Sequence, residues 1–270
     1  MQLAGNNKKA IWFIVIFSAL VTVAAWVSPL LGGSPAKPGL GFILWGMAPM
    51  LVSLLMRWGT KDWSDFGGKP GFKKNALWYW VSILAFPVIM ALTLLIGVST
   101  SISSVPEFSM GKYLQVSLTA LPFFLIFAVF EEIGWREYLS PKLDSLGMNR
   151  FTASAIVAVV WATWHMPYLR ELSWVYSSED LATFIPRFYL VCFALALVYD
   201  EIRLITGTFW AAVFMHGIGN AFGHPLVAEY VNYMAGTEYL GSVSNGFIMV
   251  AFVIVLGVAI NRWRLKQAIL

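Results

Sequence analysis

Hydrophobic residues along this chain gather into long runs separated by short polar stretches. The runs occupy residues 10–31, 39–56, 76–98, 113–139, 151–168, 181–199, 204–222 and 245–260. At about 1.5 Å of rise per residue, most are long enough to cross roughly 30 Å of hydrocarbon as helices. The pattern predicts an all-α, polytopic integral membrane protein with about eight transmembrane helices, forming a single domain over residues 1–270. The first run follows Lys8 and Lys9, as a signal peptide would. Its apolar region is too long for one and lacks a clear small-residue cleavage site, so it is read as the first membrane helix.

Composition agrees with the pattern. A chain that is 59% hydrophobic and 12% charged, with a mean hydropathy of +0.72, lies far outside the range of soluble domains and leaves no room for a sizeable aqueous one. Basic residues then set the orientation, because Lys and Arg near span ends are retained in the cytoplasm. Of the 18 Lys and Arg, 14 fall at the N-terminus, in or beside the second, fourth and sixth loops, or at the C-terminus; the others are Lys37, Lys112, Arg170 and Arg187. Both termini are therefore expected in the cytoplasm. The same distribution explains the net charge of +4 without a nucleic-acid partner, and the basic stretch 69–74 is suited to anionic lipid headgroups. The single cysteine, Cys192, excludes an intrachain disulfide and reads as a small buried hydrophobe. Trp58, Trp63, Trp78, Trp174 and Trp263 fall near span ends, where an aromatic belt is expected.

Against this apolar background a few ionisable residues stand out: Glu131 and Glu132 in the fourth run, His165 in the fifth, and His216 with Asn220 in the seventh. Near the bilayer centre such a group costs on the order of 3 kcal/mol, so each needs a partner or a task. Helical spacing sorts them. Glu132 and Arg136 are four apart and share a face, whereas Glu131 is rotated by about 100° and points elsewhere. Trp161 and His165 are also four apart, as are His216 and Asn220. Three helices thus each carry one polar face, and turning all three inward around a common cavity hides them from lipid. Gly217, Gly219 and Gly223 allow the seventh helix to approach its neighbours closely, and Pro167 predicts that the fifth ends or bends just after His165.

Plainer readings stand beside this one. Glu131 and Glu132 fit a helix leaving the membrane, with Arg136 and Glu137 continuing a solvated turn. His165 fits a helix-end residue bonded to a free carbonyl, and His216 with Asn220 fits an interhelical hydrogen bond. If the groups do converge, a carboxylate and an imidazole sharing one water can deprotonate it for attack on a carbonyl, while an imidazole and an amide donate to the resulting oxyanion. Peptide hydrolysis is the natural reaction for such a set. No serine or cysteine stands in a comparable context to suggest a covalent nucleophile.

Glu-Glu-x-x-x-Arg at 131–136, Trp-x-x-x-His at 161–165 and His-x-x-x-Asn at 216–220, in this order, resemble the CAAX protease and bacteriocin-processing family, whose best-known branch is the Ras-converting CAAX prenyl endopeptidase. The resemblance covers residues of about 113–223. It implies an intramembrane glutamic endopeptidase in which Glu131 activates water together with His165, and His216 and Asn220 form the oxyanion site. Glu132 and Arg136 would organise the site and help to orient substrate, with Trp161 as an aromatic wall where the family usually has Phe. The implied partner is a membrane-associated peptide or prenylated protein, and no cofactor is required. Zinc is the rival, since one Glu and two His could hold it, although Asn220 is a poor zinc ligand. Other classes are a proton-coupled transporter, for which no internal repeat is evident, and a non-catalytic protein such as a bacteriocin-immunity factor.

Overall fold

The computed structural model describes residues 2–169, 171–172 and 179–267; Arg170 and Trp174 lie outside them. Its elements are α1 (Gln2–Val27), α2 (Leu40–Thr60), α3 (Ala76–Ser99), α4 (Met110–Gly134), the short α5 (Ser140–Asp144), α6 (Arg150–His165), α7 (Leu181–Thr206), α8 (Trp210–Pro225), the short α9 (Glu238–Gly241) and α10 (Phe247–Gln267). The fold is the expected all-α one. Among the described residues a single antiparallel pair, β1 (Ser103–Ser104) with β2 (Asn232–Tyr233), joins the loop after α3 to the loop after α8.

Helices lie where the apolar runs predict them, but the expected count of about eight spans is not reached by length. Six helical stretches among the described residues are long and apolar enough to cross a membrane. The fifth and seventh runs form α6 and α8, each of 16 residues, or about 24 Å. Local chemistry limits both. Asn149 accepts a hydrogen bond from the Thr152 N–H to start α6, and Pro167 ends it in a 3₁₀ turn over Met166–Tyr168. The chain enters α8 from Gly207, which closes α7 in a left-handed conformation (φ 68°). These two short helices carry two of the three polar motifs and pack inside the bundle, α6 against α7 and α8 against both α3 and α4.

Close approach of α8 follows from its glycines. A Cβ on Gly217 would lie 3.1 Å from the Leu125 Cα on α4, and one on Gly223 would lie 2.8 Å from Met90 Cε on α3. A similar contact seats α4 on α2, where a Cβ on Gly134 would meet Pro49 backbone at 2.9 Å. Beyond Gly134, α4 passes into a π-helical turn, Trp135–Leu139, before α5. The extra residue in that turn rotates Arg136 and Glu137 into the protein, and both are completely buried. The solvated-turn reading of these residues is therefore overturned.

One end of the bundle is a dense ionic layer. Arg57 on α2 bonds the Asp65 carboxylate at 2.7 Å, Lys142 on α5 bonds Asp62 at 2.8 Å, and Arg203 on α7 bonds Glu137 at 2.5 Å. Arg264 on α10 bonds Glu201 at 2.6 Å, and Lys9 of α1 lines the same polar crevice. The loops and terminal segments rich in Lys and Arg thus meet at one end, while the β1–β2 pair closes the other.

Candidate active site

The acid comes from α4. Glu131 and Glu132 are adjacent and so diverge around the helix, and each finds a different environment. Glu131 Oε2 accepts from Trp161 Nε1 at 2.6 Å and from Trp135 Nε1 at 3.4 Å. Its other oxygen, Oε1, lies 3.9 Å from His216 Nε2. Glu132 is completely buried behind this layer, bonded to His216 Nδ1 at 2.8 Å and to Arg136 Nη1 at 3.2 Å. Arg136 continues the chain to Asp200, 3.5 Å from its Nε, and its guanidinium lies against the Trp161 and Tyr199 rings, 4.7 and 4.8 Å from their centroids. An ionic relay, Asp200 to Arg136 to Glu132 to His216, thereby fixes the imidazole on α8. Truncating any member strands a neighbouring charge out of water.

The second imidazole ends α6. His165 Nδ1 lies 2.9 Å from the Trp161 carbonyl, four residues back. A carbonyl only accepts, so Nδ1 carries the proton in this bond and the Nε2 lone pair is left for the cavity when the ring is neutral. Rings of Trp164 and Phe188 hold the imidazole edge-on at centroid distances of 4.6 and 5.1 Å. His216 is held differently, stacked on Tyr199 at 5.6 Å and 25°.

Glu131, Trp161, His165, His216 and Asn220 all line one cavity of about 280 Å³. The five come from α4, α6 and α8, so three helices do present their polar faces to a common space. The rest of the lining is largely apolar and aromatic, including Phe42, Phe123, Phe124 and Phe127. Glu132 and Arg136 do not line it. Glu132 reaches the cavity lining through its bond to His216, and Arg136 bonds Glu132 from behind.

Sequence reasoning missed Trp135, Tyr199 and Asp200. Trp135 was legible, since it stands four residues after Glu131 on the same helical face. Tyr199 and Asp200 stand at the end of an apolar run, where an aromatic and an acid look interfacial. Asp200 is instead buried, accepting from Ser140 at 2.6 Å and Ser154 at 2.9 Å and pairing with Arg150 at 3.3 Å. His224, given no role from sequence, lines the cavity at the end of α8 with its ring 4.8 Å from that of Phe124.

A protein zinc site needs at least three side-chain donors around one point. Among the described residues no three His, Cys, Asp or Glu side chains converge as a ligand cluster. Glu131 Oε2 is taken up by indole N–H groups and His216 Nδ1 by Glu132, which leaves Glu131 Oε1 and His216 Nε2, 3.9 Å apart, facing the chamber.

Fold and site together define a polytopic membrane protein with a buried acid, two imidazoles and an amide around an apolar chamber. Residues 113–222 match the family described as Type II CAAX prenyl endopeptidase Rce1-like, a stretch that includes every motif residue named above. Over 92 residues the sequence is 33% identical to CAAX prenyl protease 2 of Methanococcus maripaludis, a match spanning 33% of this chain and 33% of that relative. The motif-bearing stretch is thus similar to the Rce1-like family, and the chain matches about a third of the length of that curated relative.

Proposed function

We propose that this protein is an intramembrane glutamic endopeptidase that cleaves near the C-terminus of membrane-associated, prenylated CAAX-type substrates. The observation that carries the reading is the state of Glu131: a buried carboxylate with one oxygen tied to indole N–H groups and the other facing the chamber shared with His165, His216 and Asn220. The 3.9 Å between Glu131 Oε1 and His216 Nε2 leaves room for a water within about 2.8 Å of both.

In this mechanism the water oxygen bonds the scissile carbonyl carbon while its proton passes to Glu131, with the His165 Nε2 lone pair orienting the water. Negative charge develops on the former carbonyl oxygen. His216 in its protonated form donates from Nδ1 to Glu132 and from Nε2 into the chamber, and the Asn220 amide supplies a second donor. Collapse of the tetrahedral species breaks the C–N bond, and the proton held by Glu131 moves to the leaving amine. No metal takes part. The aromatic lining suits a lipid chain entering sideways from the bilayer, with the peptide approaching from the ionic end. That end is cytoplasmic in this reading, with both termini on the same side; its support is the gathering there of the Lys- and Arg-rich segments, and labelling, by an impermeant reagent in intact cells, of cysteines introduced at the termini would contradict it.

The test is cleavage of a farnesylated C-terminal peptide by purified protein in detergent, with products identified by mass spectrometry. Glu131→Ala and His165→Ala are each expected to lower kcat by at least about 100-fold at normal protein yield. Full activity in Glu131→Ala ends the glutamic mechanism. Activity is expected to survive a zinc chelator, and loss restored by added zinc would establish the metal-dependent alternative.

A further inference from the structure

Trp161 lines the chamber with a side chain that is only 2% exposed. It also offers a donor. Its Nε1 lies 2.6 Å from Glu131 Oε2, the shorter of two indole contacts to that same oxygen. The indole cannot turn away, because the Arg136 guanidinium lies over its face at 4.7 Å and the His216 ring meets it edge-on at 5.6 Å. The same residue's carbonyl receives His165 Nδ1 at 2.9 Å. One residue of α6 therefore contacts the acid with its side chain and the nearby imidazole with its backbone.

A carboxylate in an apolar chamber can present either oxygen, because its terminal torsion is broad. Tying one oxygen to a rigid donor removes that freedom, and catalysis gains when the reacting group is held in one orientation beforehand. We propose that Trp161 is a positioning residue: its indole N–H holds Glu131 Oε2 so that Oε1 alone is presented to the reacting water. This rests on Glu131 being the base argued above. A phenylalanine at 161 would fill most of the same space and donate nothing.

Trp161→Phe separates the two roles. Loss of the donor lowers kcat for the farnesylated peptide by about 10- to 100-fold, the usual worth of a hydrogen bond to a charged group, and leaves KM within about threefold. A wall residue would do the reverse, raising KM at constant kcat. An independent readout is the indole ¹⁵N–¹H spectrum of tryptophan-labelled protein in micelles. The resonance missing from Trp161→Phe is that of Trp161, and in Glu131→Ala it moves upfield as its acceptor disappears. Unchanged kcat, a loss confined to KM, or a Trp161 resonance indifferent to Glu131→Ala overturns the proposal. Should Trp161→Phe fold poorly, Trp135→Phe identifies the resonance of the other indole on Glu131 Oε2: a second indole resonance moving upfield in Glu131→Ala supports the contact, and none moving beyond that of Trp135 refutes it. An active Glu131→Ala would remove the proposed hydrolase itself. An inactive Glu131→Ala beside a fully active Trp161→Phe removes only the indole's role.

Discussion

Arg136 is the residue whose loss should be felt most widely. It is completely buried and serves two carboxylates that are themselves fully out of water, Glu132 at 3.2 Å and Asp200 at 3.5 Å. Asp200 keeps Arg150, Ser140 and Ser154 when Arg136 is truncated, but Glu132 is left with His216 alone. Removing one partner of a buried pair typically costs about 3–5 kcal/mol, mainly from the stranded charge. For a protein of this size that corresponds to a fall in Tm of roughly 6–20 °C for Arg136→Ala. Arg136→Lys keeps the charge but lacks the planar fork that spans both acids and the flat group that contacts the Trp161 and Tyr199 rings, so it should recover only part of the loss. Thermal unfolding in detergent, followed by near-UV signals of the buried tryptophans, measures both variants. Adding Glu132→Gln to Arg136→Ala removes the stranded charge and should restore stability toward wild type. An Arg136→Ala protein within about 1 kcal/mol of wild type, or a double variant less stable than the single one by the full additive amount, would refute the stranded-charge account.

Two further outcomes follow from the packing and the ionic end. Gly217→Ala places a methyl 3.1 Å from the Leu125 Cα and 3.2 Å from its backbone nitrogen, atoms that cannot rotate away, so α4 and α8 must part; the expected cost is about 1–3 kcal/mol with reduced peptide cleavage, since these helices carry Glu131 and His216, and unchanged Tm and kcat would contradict it. Asp62, in the loop after α2, has its carboxyl pulled from 3.8 down to about 2, chiefly by the hydrogen bond from Lys142. A depressed carboxylate stabilises the fold above its ordinary value and loses that contribution as pH falls from about 4 to about 2; Asp62→Asn should therefore flatten the fall in Tm across that window, and an unaltered pH dependence would show that the contact is unimportant in solution.

Hydropathy and helical spacing were enough to determine the fold class and the side-chain faces that meet. Glu132 with Arg136, Trp161 with His165, and His216 with Asn220 are each four residues apart, so their sharing of a face is a local property of the helix. Pro167 ended α6 for an equally local reason. Tertiary structure decided the environments. The two adjacent glutamates differ because α6 brings an indole to one and α8 an imidazole to the other, over separations of 30 and 84 residues. The burial of Arg136, Glu137 and Asp200 was not legible either, because a charge at the end of an apolar run looks the same whether it meets solvent or a partner from another helix. Local pattern records how much apolar surface a segment carries; only the packed bundle determines which charges lose their water and which groups replace it.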